Sequence, residues 1–203
     1  MRFRPLVLVA VVLCLVGAAC SSSPKKPQAR PGVTGTVAVQ MHVREVAAGE
    51  LISPARGIRP LDDPTKARVL AAVQKLFDAT LVDPLTAGQA GSIDSVFTND
   101  AVRQAATVDR AAMYDEALPR ITRLKADKAE VQLTGLAGGN DQAALVIAKF
   151  GWDVTGDGGK VHIVRSGELS LIPVLGTWLI AAYDVANATT VDGTTTTTTA
   201  VKK

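Results

Sequence analysis

Hydrophobic residues recur along this chain in two rhythms, a helical one before residue 119 and a strand-like alternation after residue 128. In the first half, Val69, Leu70, Val73, Leu76, Phe77 and Leu81 make one stripe of a helix, with Lys66, Gln74, Lys75 and Asp78 turned to solvent. Asp63-Pro64 reads as its N-cap and first helical residue, and Pro84 to Gly91 as its end. Three shorter helices are expected beyond it. Ser92 caps the first, with Ile93, Val96 and Phe97; Thr98 or Asn99 caps the second, through Ala106; Asp109 caps the third, through Leu118 to the stop at Pro119.

The second half predicts four strands, Ala129–Leu136, Gln142–Thr155, Lys160–Leu171 and Thr177–Asn187, joined by turn sequences at 138–141, 156–159 and 173–176. They are expected to form an antiparallel meander. Val146, Ala148, Phe150 and Trp152 give one wholly apolar face, while Leu145, Ile147, Lys149, Gly151 and Asp153 give a mixed one. Upstream, Val37, Val39, Met41 and Val43 alternate within 34–46 and predict an extra N-terminal strand, followed by a loop over 49–61 broken by Pro54, Gly57 and Pro60.

The two ends follow other rules. Met1-Arg2-Phe3-Arg4 is a positive n-region, and Pro5 to Ala19 holds no charge. That stretch is short of the about 18–20 apolar residues of a spanning helix and has the size of a secretory h-region. It runs into Gly17-Ala18-Ala19-Cys20, which resembles a bacterial lipobox whose cysteine receives diacylglycerol and becomes the first residue of the mature chain. With Cys14 removed alongside the signal, Cys20 is the one remaining thiol, so a disulfide framework is excluded and lipidation accounts for that cysteine. The expected organisation is a signal peptide over 1–19, a polar tether over 20–33 rich in Ser, Pro, Lys and Arg, a domain over 34–187 and a disordered Thr-rich tail over 188–203.

Charge then removes one class of partner. The formal net charge is +3, but Arg2 and Arg4 belong to the signal, which leaves +1 on the processed chain. A near-neutral domain with few aromatic residues lacks the basic stripe that nucleic acid requires.

The amphipathic helix, the segment Ile93-Asp94-Ser95-Val96-Phe97-Thr98-Asn99-Asp100-Ala101, and the long strands ending Gly176-Thr177-Trp178-Leu179-Ile180 resemble the NTF2-like superfamily over residues 65–187. With the lipobox, the whole resembles actinobacterial lipoproteins. The resemblance implies an α+β fold, an NTF2-like cone of N-terminal helices packed on a curved antiparallel sheet, to which the strand at 34–46 is an addition. It also implies a pocket between sheet and helices, with Phe77, Tyr114, Phe150, Trp152 and Trp178 as candidates to line it.

Candidate chemistry is sparse. Tyr183 and Asp184 point to opposite faces of their strand, as do Arg165 and Glu168, and the charged members are expected in surface ion pairs or at strand edges. His42 and His162 lie on separate predicted strands, so no metal cluster or metal cofactor is expected. Asp153-x-Thr155-x-Asp157-Gly158 starts like a calcium loop but has Val164 where the bidentate Glu belongs, and reads as a turn. No Gly-x-Ser-x-Gly elbow or Walker loop occurs.

The expected function is a non-catalytic binding domain, lipid-anchored on the extracytoplasmic side of the cell membrane and needing no cofactor. Its expected partners are an apolar ligand such as a lipid, or a second copy or an envelope protein at the sheet face. The alternative is a small cofactor-free isomerase or dehydratase using the cone pocket.

Overall fold

A computed structural model describes residues 38–40, 44–45, 47–87, 90–114 and 118–202. The expected signal peptide over 1–19, Cys20 and the expected tether over 20–33 lie outside the described residues, as do 34–37, 41–43 and 46 of the expected first strand.

The firmest helix is present as α1 (Asp63–Phe77) and buries Val69, Ala72, Val73, Leu76 and Phe77, the stripe that its periodicity marks. Its cap is Asp62 rather than Asp63: the Asp62 carboxylate accepts the Thr65 N–H at 2.8 Å and the Thr65 hydroxyl at 2.9 Å, which moves Pro64 into the first turn. The helix does not stop at Pro84. A π-helical turn (Asp78–Val82) continues it into α2 (Asp83–Ala87); Pro84 has no N–H to return to the preceding turn, and Ala79 O accepts the Gly91 N–H at 2.9 Å.

The region around Ile93 makes a single turn, with Val96 and Phe97 N–H donating to Ile93 O, and not a helix, because its next backbone partners lie on a strand. Val96 O accepts from Ile180 N–H at 2.8 Å and Thr98 N–H donates to Ile180 O at 2.9 Å, so this segment docks on the sheet while Ile93, Val96 and Phe97 fill the core. Two short helices follow, α3 (Asn99–Ala106) and α4 (Arg110–Met113), the second four residues long rather than reaching Leu118; Thr98 and Asp109 hold the N-cap positions, but neither side chain makes a cap bond.

The four predicted strands are all present, antiparallel throughout: β5 (Arg123–Ala137), β7 (Val161–Val174) and β8 (Thr177–Val191) are longer than expected, and β6 (Ala143–Gly156) keeps its expected length, displaced by one residue. Upstream lie β1 (Ala38–Gln40), β2 (Arg44–Glu45), β3 (Glu50–Ser53) and β4 (Gly57–Pro60). The described parts of the extra strand, β1 and β2, run parallel to β5, and β3 continues along the same edge. The expected loop at 49–61 is therefore a hairpin, β3–β4. Ser53 Oγ accepts the N–H groups of Ala55 and Arg56 in its turn, and Gly57 supplies the positive φ of 70° that closes it.

The largest departure is at the C-terminus. The expected disordered tail is a strand, β9 (Thr194–Lys202), paired in continuous register with β8 from Val191↔Thr194 to Tyr183↔Lys202. Two properties of the sequence produce it. Threonine is β-branched and fits a pleated sheet, and Asp192-Gly193, at φ 46° and 83°, forms the two-residue hairpin turn whose twist matches the strands. The domain thus extends to Lys202.

Together the strands make one open sheet, β4-β3-β5-β6-β7-β8-β9 with β1 and β2 also on β5, bent by irregularities at Ala126/Lys128 on β5 and Ser170/Leu171 on β7. The described helices cover one face. The apolar face of β6 lies inward, with Val146, Ala148, Phe150, Trp152 and Val154 buried, and Leu145, Ile147, Lys149 and Asp153 lie on the outer one. This is a helix-on-sheet α+β domain.

Candidate functional site

The centre of the helix–sheet interface is filled. Phe77 from α1 meets Trp152 edge-on with ring centroids 4.6 Å apart, and Phe150 lies tilted against Trp152 at 4.5 Å. These three candidate pocket residues come together, but as core. Beside them is a cavity of only about 10 Å³, the room of one water molecule, between Leu76, Thr80, Met113, Phe150, Trp152, Arg165 and Val185. An apolar ligand of lipid size has no space there.

Arg165 does not sit at the surface, as its charge led us to expect. It is 2% exposed, its Nη1 donates to Thr80 Oγ1 and Met113 O at 3.1 Å each, and its guanidinium carbon lies 6.0 Å from the Trp152 ring. The reason is geometric: Arg165 shares the inward parity of Val161, Ile163 and Leu169 on β7, and the π-helical turn at Thr80 and the end of α4 at Met113 supply its acceptors. Glu168 does make the expected surface ion pair, 3.4 Å from Lys149 Nζ.

Tyr183 and Asp184 are on opposite faces, as strand alternation requires: Tyr183 is buried and Asp184 exposed. The Tyr183 hydroxyl donates to Asp109 Oδ2 at 2.6 Å, and Gln104 Nε2 donates to the same oxygen at 2.9 Å, so the α3–α4 joint is tied to β8. Burial, and then the Asp109 carboxylate, push the Tyr183 phenol well above its ordinary pKa of 10.0. Because the folded state disfavours the phenolate, the stabilisation is complete below about pH 10 and lost as the pH rises beyond the unfolded value. Tyr183→Phe is expected to cost about 1.5–3 kcal/mol, the range for a hydrogen bond to a charged group. In paired thermal melts the gap between wild type and variant should stay constant from neutral pH to about 10 and close above it; a gap that does not narrow contradicts the assignment.

Each of the remaining candidates borders a hollow among the described residues. Trp178, buried, backs a hollow of about 190 Å³ between α1 and the β7–β8 turn, with Arg68 and Lys75 on its helical side. Tyr114 forms part of a larger groove of about 260 Å³ between the α4 region and the last two strands. Its wall is Ala111, Tyr114 and Leu118, and its floor is the inward face of β8 and β9, with Asn187, Thr189, Thr194, Thr196 and Thr198. The Arg110 guanidinium lies 4.7 Å from the Tyr114 ring centroid and braces the wall.

Register connects this groove to the core. Trp152 faces Arg165, Arg165 faces Asn187, and Asn187 faces Thr198, so one row runs from the aromatic cluster to the edge strand. The groove presents hydroxyls, an amide and a phenol beside apolar carbon: groups that hold and orient a neutral polar partner.

The edge beside the groove is the second element of the site. Thr194 closes the β8–β9 turn opposite Val191, so even-numbered residues of β9 bond to β8 and odd-numbered ones direct N–H and C=O away from it. The contact of Gln104 agrees: its Nε2 reaches Val201 O at 3.0 Å from outside the sheet. The Val201 carbonyl thus has a side-chain donor, whereas no described strand pairs with the outward groups of Thr195, Thr197 and Thr199.

Among the described residues no group of three or more His, Cys, Asp or Glu side chains is placed to hold a metal ion, and no helix is long and apolar enough to cross a membrane. His162 Nε2 bonds Asp153 Oδ1 at 2.7 Å on the outer face, while His42 lies outside the described residues. Asp157 forms the expected turn, its Oδ1 accepting from Thr122 N–H, Thr122 Oγ1 and Arg123 N–H at 2.9 Å each. Comparison with protein-family models, curated proteins and solved structures gives no match, so no family or function comes to this chain from a relative.

Proposed function

We propose that the chain is a lipoprotein held on the extracytoplasmic side of the cell membrane by diacylglycerol on Cys20, and that its domain is NTF2-like and works by binding. The partner is an envelope protein, one of whose extended segments lies along the free edge of β9 and places alternate side chains over the Thr-lined groove. The observation that carries this reading is the pairing of an uncovered run of backbone donors and acceptors with an adjoining groove of about 260 Å³. Strand addition of that kind draws affinity from main-chain hydrogen bonds and specificity from the pockets beside them. The packing of Phe77, Phe150 and Trp152 favours it over a lipid carried inside the cone, since the cavity beside that cluster measures about 10 Å³.

Two substitutions test the two halves separately. Cys20→Ala should leave unprocessed precursor and abolish acyl labelling; unchanged processing and labelling removes the lipoprotein half. Thr197→Pro deletes an outward N–H that the β8–β9 ladder does not use, so the fold should survive it. Proteins that co-purify with the wild-type chain from detergent-solubilised membranes should be lost from Thr197→Pro at unchanged melting temperature. An identical set of co-purifying proteins removes the binding half.

A further inference from the structure

Among the described residues, four turns of this sheet place a residue other than glycine at positive φ, and three of the four residues are aspartates: Asp141 at 60°, Asp157 at 45° and Asp192 at 46°. Aspartate tolerates the left-handed region because its short side chain bonds locally. The fourth is Leu175 at φ 48°, the first residue of the Leu175-Gly176 turn between β7 and β8, and its side chain is completely exposed. A leucine there gains no local hydrogen bond and leaves its whole apolar surface in water.

The end of the sheet that Leu175 tips carries more apolar surface. On the outer face, register aligns Ile58 with Ile52, Ile52 with Leu136, and Leu136 with Leu145; Val146↔Leu171 brings Leu145 beside Ile172, which faces Leu179. This row crosses six strands, ~24 Å at the usual strand spacing. Ile58 is 67% exposed, Ile52 and Leu136 just under 40%, and the other three are half-buried. Aliphatic side chains in one line at a single end of an otherwise mixed face are a patch, not scatter.

Cations flank this end. Arg56 is exposed in the β3–β4 turn, and Arg68 and Lys75 are exposed on α1 along the hollow that ends at Gly176. Asp141 in the β5–β6 turn is within 3.0 Å of Arg56 and 2.9 Å of Arg59, so its charge is matched locally. Glu50 on β3 and Asp94 beside Ser95 are further carboxylates of this region, and both are exposed.

We propose that this rim, Leu175 at its tip with the Ile58-to-Leu179 row behind it, rests on the headgroup layer of an anionic phospholipid bilayer. Leu175 and its neighbours enter the interface while Arg56, Arg68 and Lys75 meet the phosphates, the arrangement of apolar wedge and cationic flank that anionic bilayers attract. The Thr-lined groove lies at the opposite end of β8, so a bilayer on the rim leaves the groove facing away from it. Reach permits this, an argument that rests on the lipoprotein reading: eighteen residue steps separate Cys20 from Ala38, up to ~60 Å extended, against ~43 Å along β5 from Arg123 to Leu136.

The test uses the full chain reconstituted in phosphatidylglycerol/phosphatidylethanolamine vesicles with lipids brominated near the top of the acyl chain. The native Trp152 and Trp178 are buried, so an indole introduced by Leu175→Trp adds a distinct emission. Most of that added emission should be lost to the brominated lipid, and Arg68→Glu with Lys75→Glu should restore it. Emission added by Thr197→Trp, at the groove end, should be untouched. Equal quenching at the two positions, or none at Leu175→Trp, overturns the proposal. So does an emission that changes with protein concentration rather than with brominated lipid, which marks a contact between copies. Loss of acyl labelling with quenching intact would remove the Cys20 anchor and leave the rim standing.

Discussion

Gly167→Ala should destabilise the domain by at least about 3 kcal/mol, beyond the usual range for a small overpacking change. A Cβ at this position would lie 2.0 Å from the Asp184 carbonyl oxygen and 3.0 Å from Val185 Cα, and both are backbone atoms of a paired central strand that no rotamer change can move. Gly167 stands between Phe150 on β6 and Val185 on β8, so parting β7 from β8 here breaks the ladder in the middle of the sheet. For a domain of this size the loss corresponds to a fall in Tm of roughly 6–12 °C. Gly151→Ala is the internal control, because its Cβ would meet nothing nearer than Lys128 Cε at 4.0 Å. Calorimetry should separate the two variants clearly; equal melting temperatures would contradict the close approach of β7 and β8.

Trp152→Ala should cost about 3–5 kcal/mol, the usual figure for removing a large aromatic from a core. Trp152 is 1% exposed and is the shared partner of Phe77 and Phe150, so its loss opens the aromatic cluster on both sides. It also removes the ring beside the Arg165 guanidinium, whose burial depends on what surrounds it. Chemical denaturation should show a lower midpoint and an unchanged slope. A midpoint within measurement error of wild type would mean that this cluster is not the centre of the core.

Local rules made the helix α1 and strands β5 to β8 legible. The stripe from Val69 to Phe77 has the helical period, and the alternation from Val146 to Trp152 has the strand period; each is satisfied by burial of the same face. The errors have physical causes too. Composition alone marks the Thr run as a tail, although Asp192-Gly193 before it is a strong hairpin signal and six β-branched residues suit a strand. Arg165 was placed at the surface because arginine usually is. The acceptors that make its burial possible are 85 residues away at Thr80 and 52 away at Met113, where no pattern near Arg165 announces them.

The candidate site was legible only through Tyr114. Its groove is assembled from the α4 region and from the ladder that Thr194 to Thr198 make with β8, so a reading that ended the domain at residue 187 had no floor for it. Phe77, Phe150 and Trp152 are expected to line a pocket and instead pack on one another, so the aromatic residues that a pocket would need are the same ones that fill it.

Site-resolved amide hydrogen exchange along Thr194–Lys202 tests the central claim, that β9 is a sheet strand whose outer edge is the working surface. In the isolated domain the amides of Thr196, Thr198 and Ala200 should be protected by β8 while those of Thr195, Thr197 and Thr199 exchange freely, and the second set should gain protection in the partner-bound state. Uniformly fast exchange across the whole run would contradict the account.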